Sequence, residues 1–137
     1  AVCCSLQKRA SPIYCTEDVG VKAPVKRVEK PWGYELIFAA TKDYVGKILH
    51  IKKGHKLSLQ YHRVKEETIY ISQGEMLFVF EEDGGIMQEI TLKQGDAHHI
   101  PTGKKHRMIA IEDCDVFEVS TPHLEDVVRL EDSYGRS

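Results

Sequence analysis

No apolar run in the 137 residues approaches the roughly 20 that a membrane helix needs. No charge of one sign dominates either: 19 Lys and Arg stand against 21 Asp and Glu, a net −2 with the two signs interspersed. This excludes the basic footprint by which proteins hold nucleic acid. The four cysteines (Cys3, Cys4, Cys15 and Cys114) form no CxxC pair, and three of them crowd into the first fifteen residues. A zinc ribbon would show two spaced pairs, and a disulfide scaffold would spread its cysteines through the core. They read as free thiols, and the expected compartment is the reducing cytoplasm. "AVCCSL" gives way to Gln7, Lys8 and Arg9 too soon for a secretory leader. Helical periodicity is missing as well. Nothing before Pro122 keeps a 3.6-residue period over three turns.

What the chain does contain is a series of short strand-like segments. A length of 137 residues suits one domain with one core. Residues 1–24 read as an N-terminal arm, and residues 25–137 as a single β-domain. Within it "ELIFAAT", "YVGKILHIKKG", "KLSLQYH", "ETIYISQG", "EMLFVFEEDGG", "IMQEITLKQGD", "AHHIP", "HRMIAIEDCD" and "VFEVST" follow one another, rich in β-branched and aromatic residues. Gly, Asp and Pro separate them, and "EEDGGI" is a hairpin signal. Eight or nine strands without a long helix predict a sandwich or a barrel.

The polar residues sit oddly on these strands. With a period of two, Ser58, Gln60 and His62 share one face, and Leu57, Leu59 and Tyr61 the other. Lys47 heads a face that continues with Leu49 and Ile51. His106 shares a side with Met108 and Ala110, and Glu118 with Val116 and Ser120. "AHHIP" turns His98 and His99 to opposite faces, so one of them must point inward. Buried ionisable groups cost several kcal/mol unless they are paired or bound to a metal. A divalent ion answers several of these placements at once. His50 and His55, in a Lys-rich stretch, read as solvated.

Two spacings organise the polar set. Gly54, five residues, Gln60-x-His62, four residues, Glu67, six residues and Gly74 form one unit. Gly95, five residues, Pro101-x-Gly103, two residues and His106 form the second. The pair resembles the two signature motifs of the cupin superfamily, with Gln60 where most members carry histidine. That resemblance implies an all-β, cupin-type double-stranded β-helix (a jelly-roll barrel). It also implies a metal set of Gln60, His62, Glu67 and His106. Ligands of these types suit a borderline-hard divalent ion, zinc first, with manganese, iron, cobalt or nickel as alternatives.

A narrower likeness runs over residues 30–136. "KPWGYE", "GHKLSLQYHRVKEE", "IPTGKKHR" and "DVVRLEDSYGR" are similar to the cupin domain of type II mannose-6-phosphate isomerases. The sequence departs from that family in its "RVKE" after the first metal histidine and in "HHI" before the second motif's proline. The likeness implies a small-molecule sugar or sugar phosphate as substrate, with Lys47 and Arg129 as contacts. It also implies aldose–ketose isomerisation, with Lys47, Glu118 or the inward member of the His98/His99 pair moving the proton. His99 is the candidate from that pair. Two other readings stay open: a metal-dependent oxygenase or lyase of the same superfamily, and a non-catalytic sugar-binding module.

The outward faces complete the expectations. If Met76, Phe78 and Phe80 point inward, then Leu77 and Val79 join Leu57, Leu59 and Tyr61 on the outside. Exposed apolar patches of that kind are usually covered. The chain's own arm could cover this one; a second subunit, giving a homodimer, is the expectation carried forward.

Overall fold

The computed structural model describes residues 22–137. Most of the arm expected at 1–24, with Cys3, Cys4 and Cys15, lies outside the described residues. Eleven strands follow one another: β1 (Lys26–Lys30), β2 (Gly33–Ala40), β3 (Val45–Ile51), β4 (Leu59–Tyr61), β5 (Glu67–Gln73), β6 (Glu75–Glu81), β7 (Met87–Lys93), β8 (Ala97–Ile100), β9 (His106–Ala110), β10 (Cys114–Ser120) and β11 (Val128–Glu131). They form two sheets, ordered β1-β2-β3-β10-β5-β8 and β11-β4-β9-β6-β7. Every pairing is antiparallel. Among the described residues there is no helix, so none is long and apolar enough to cross a membrane. The all-β architecture is that expected from the segment pattern, and the jelly roll is the form that the resemblance implied.

The sheets face each other across a core that includes Trp32, Ile51, Ile69, Ile71, Phe78 and Met108, each at most 2% exposed. Side-chain alternation explains how polar groups enter that interior. In β3, Lys47 is buried with Leu49 and Ile51; in β10, Glu118 is buried with Val116 and Ser120. Register then lines them up: Ile37, Lys47, Glu118, Ile69 and His98 form one row across the first sheet. On the second sheet, Arg129, Gln60, His106 and Phe80 form another. The two rows bring the polar residues to the same interior.

Turns fix this register. Gly74 joins β5 to β6 at φ 92°, and a Cβ there would lie 2.2 Å from the Asp113 carbonyl oxygen. Only glycine fits so close an approach with that backbone. Cys114, the free cysteine among the described residues, is buried, and burial pushes its thiol up to about 11. It packs as an inert core group.

Three details differ from the sequence reading. Leu57 is not on the outside: it sits in the main core, because regular pairing begins only at Leu59. The outer face of the second sheet keeps Leu59, Tyr61, Leu77 and Val79, all half-buried. His50 and His55 are also engaged rather than free in solvent. His50 Nδ1 lies 2.7 Å from Asp115 Oδ1, and His55 Nδ1 lies 2.8 Å from the Tyr134 hydroxyl.

Candidate metal centre

Three side chains from separate elements meet inside the barrel. His62 follows β4, Glu67 opens β5 and His106 opens β9. All three are at most 3% exposed, and their ligand atoms lie within 4.8 Å of one another. Glu67 Oε1 is 3.3 Å from His62 Nε2 and 3.2 Å from His106 Nε2. The other imidazole nitrogens face backbone carbonyls: His62 Nδ1 that of Asp126 at 2.5 Å, His106 Nδ1 that of Lys104 at 3.0 Å. A nitrogen facing a carbonyl must donate, so each neutral ring carries its proton on Nδ1 and turns the Nε2 lone pair inward.

This arrangement is a direct test of whether the residues suit a metal. With both rings neutral, two imidazole lone pairs and a carboxylate oxygen converge, and His106 Nε2 has no hydrogen-bond partner. Three converging acceptors repel one another unless a cation lies between them. Ligand–metal distances near 2.1 Å place two ligands on one ion roughly 3.0–3.4 Å apart, in keeping with the Glu67–histidine spacings. The carbonyls behind the rings are the outer partners by which metal-bound histidines are commonly oriented. The donor set fits a divalent ion.

The loop that delivers His62 is held by one carboxylate. Asp126 accepts the backbone N–H groups of Arg63 (3.0 Å), Val64 and Lys65 (both 2.8 Å). Desolvation pushes its acidity the other way, but these three donors prevail and hold the carboxyl down at about 2. Thr102 and Thr121 add further hydrogen bonds to the same five-residue connection from β4 to β5.

Beyond the cluster runs a chain of buried charges. Lys65 Nζ lies 2.7 Å from Glu67 Oε2 and 3.1 Å from Glu118 Oε2. Lys47 Nζ lies 3.2 Å from Glu35 Oε2 and 4.0 Å from Glu118 Oε2. Burial disfavours the Lys65 ammonium, yet the two carboxylates outweigh it and raise its basicity. Burial first, and then the charge of Glu67, raise the Glu118 carboxyl above its usual range, against the pull of both lysines. Desolvation pushes the Glu67 carboxyl up, but with no metal between them His106 and His62, as protonated rings that donate from Nε2, and then Lys65 hold it well below the usual carboxylate range.

A cavity of about 80 Å³ opens beside the cluster, lined by Lys47, Gln60, His62, Lys65, Glu118 and Arg129 among others. The expected residues Lys47, Gln60, Glu118 and Arg129 are thus brought together there. Gln60 Oε1 accepts a hydrogen bond from Ser58 Oγ at 2.7 Å. Arg129 donates from Nη1 to the Ser137 carbonyl, while its buried Nε has no hydrogen-bond partner. His99 is the exception. Its side chain is 56% exposed and lies 3.6 Å from Glu66, on the outer face. His98 points inward instead, its ring centroid 4.7 Å from that of Phe78 and 4.8 Å from that of Phe80. The histidine assigned to proton transfer is therefore on the wrong face, because β8 pairs His98 with inward Ile69.

The sequence reading missed Lys65, Glu35 and Asp126. Lys65 lies in the irregular "RVKE" connection, where no strand parity predicts direction. Glu35 could have been found, since it alternates with buried Ile37.

Comparison with known proteins accords with this geometry. Residues 47–120 match the family model described as a cupin domain. The chain is 30% identical over 118 residues to the xanthan biosynthesis protein XanB of Xanthomonas campestris pv. campestris, covering 82% of this chain and 24% of that protein. The corresponding protein of strain B100 is 29% identical over 118 residues, with the same coverage. The chain thus spans about a quarter of the curated relatives it matches. Among solved structures, oxalate decarboxylase from Bacillus subtilis superposes with a TM-score of 0.69 at 18% identity, covering 77% of this chain and 30% of that one. KdgF from Halomonas sp. gives a TM-score of 0.62 at 23% identity, covering 72% and 87%. At such identities the likeness concerns the fold. The family match extends over more than half of the sequence, from β3 to β10, and on that footing the chain belongs to the cupin domain family.

Proposed function

We propose that this cupin binds one divalent transition-metal ion, zinc first among them, and acts on a sugar phosphate as an aldose–ketose isomerase. The observation that carries the reading is the convergence of the His62, Glu67 and His106 acceptors beside a cavity lined with acid–base groups. Gln60, on the same row as His106, is the fourth proposed ligand. A bound divalent ion would supply Lewis acidity to the substrate's carbonyl and hydroxyl oxygens.

The chain's own residues would do the rest. Moving hydrogen between C1 and C2 needs a group that takes a proton and returns it. Glu118 suits that role, being buried, with its carboxyl raised and with Lys47 and Lys65 on either side. Lys47 would hold a substrate oxygen and exchange its Glu35 contact to do so. Arg129, with one N–H unpaired, would receive the phosphate through charge-assisted hydrogen bonds. A cavity of about 80 Å³ holds only a few waters at roughly 30 Å³ each.

Trp32, the sole tryptophan, lines this cavity and reports on it. Mannose 6-phosphate should change its fluorescence at lower concentration than mannose does, and should be converted to the ketose phosphate. Arg129→Met should abolish the preference for the phosphate ester and leave the metal in place. Equal responses to the two sugars would reject the phosphate, and a bound but unconverted ester would reject the isomerase.

A further inference from the structure

Lys65 is placed where a buried cation is costly unless its partners are fixed. It is 5% exposed, and each of its two carboxylate contacts has a different neighbour to serve. Glu67 divides its oxygens: Oε2 goes to Lys65 at 2.7 Å, and Oε1 alone meets His62 Nε2 and His106 Nε2. Glu118 uses its Oε2 on the same ammonium at 3.1 Å. The backbone on either side is pinned as well. Lys65 N donates to Asp126, and the Lys65 carbonyl accepts from Thr102 Oγ1 at 3.1 Å. A freely rotating lysine could not divide a carboxylate in this way.

We propose that Lys65 is a positioning residue that makes Glu67 a one-oxygen metal ligand, reserving Oε2, and ties that ligand to Glu118. The inference rests on the metal reading above and adds how the ligand carboxylate is oriented. An unrestrained glutamate can offer both oxygens to one ion. Removing the ammonium frees Oε2 to join the coordination sphere, which raises the coordination number and alters the ligand field. Outer partners of metal ligands commonly set affinity by about 10–100-fold.

Cobalt(II) makes this visible, since its visible absorption bands weaken as coordination number rises. Lys65→Met alone would leave Glu67 without its ammonium and Glu118 with only the Lys47 contact at 4.0 Å, so it is combined with Glu118→Gln and compared with Glu118→Gln alone. The double variant should bind cobalt about 10–100-fold more weakly, with weaker visible bands. Lys65→Gln, which keeps an N–H donor without the charge, offers the same comparison should the double variant not fold. A purely structural lysine would lower the melting temperature and leave the spectrum as it was. Unchanged affinity and spectrum in folded variants, with cobalt bound normally by the wild type, would overturn the role of Lys65 alone. A wild type that takes up no cobalt would overturn the metal reading together with it.

Discussion

Asp126 shows how much one side chain can decide. It commits both oxygens to three backbone N–H groups, and through them sets the path from His62 to Glu67. Asp126→Ala leaves the exposed Arg63 and Val64 donors and the part-buried Lys65 donor to find water, a loss of about 1–2 kcal/mol. The sign with pH follows from its lowered acidity. A carboxyl held at about 2 in the fold, against an ordinary value of 3.8, stabilises the protein above pH ~4 and loses that contribution as pH falls towards 2. Denaturant titrations should therefore show a gap between wild type and Asp126→Ala at pH 7 that has narrowed sharply by pH 2. A gap of the same size at both pH values would contradict the clamp. Legibility at this scale follows from parity. Lys47, Glu118 and His106 were legible because each sits among apolar residues two positions apart on a regular strand. His99 misled because "HHI" offers two imidazoles, and only pairing with β5 decides which one turns inward.

Among the elements, the long strands announced themselves and the short ones did not. β6 and β7 flank an Asp-Gly-Gly turn, and β5 and β6 meet at Gly74, so their bounds follow from turn chemistry. β1, "KRVEK", was not read as a strand: four of its five residues are charged, which suits an exposed sheet edge but hides the alternation. β11, "VRLE", shows the same lack of pattern, although it places Arg129 opposite Gln60. β4 is only three residues long, and the alternation of "KLSLQYH" suggested more. The misplaced Leu57 follows from that overextension. Two-residue periodicity assumes an extended chain, and Leu57 and Ser58 are both buried where the chain is not yet in the sheet.

For the whole molecule, the two sheets bury one face each and leave the other partly apolar. Leu59, Tyr61, Leu77 and Val79 are half-buried on the second sheet, and Tyr70, Phe117 and Val119 are exposed on the first. The homodimer proposed from the sequence belongs to the first of these surfaces. Light scattering at micromolar concentration should then give about twice the 15.6 kDa chain mass. Leu59→Glu with Val79→Glu should return a folded monomer, whereas a monomeric wild type would remove the dimer and leave the interior unaffected. Two histidines and a glutamate, brought from three elements with their lone pairs turned together, are asserted to hold a metal. Elemental analysis of the purified protein tests this most directly. Close to one divalent transition-metal ion per chain is expected, and none in His62→Ala/His106→Ala. Metal-free wild type that cannot be loaded, or full occupancy in the double variant, would contradict it.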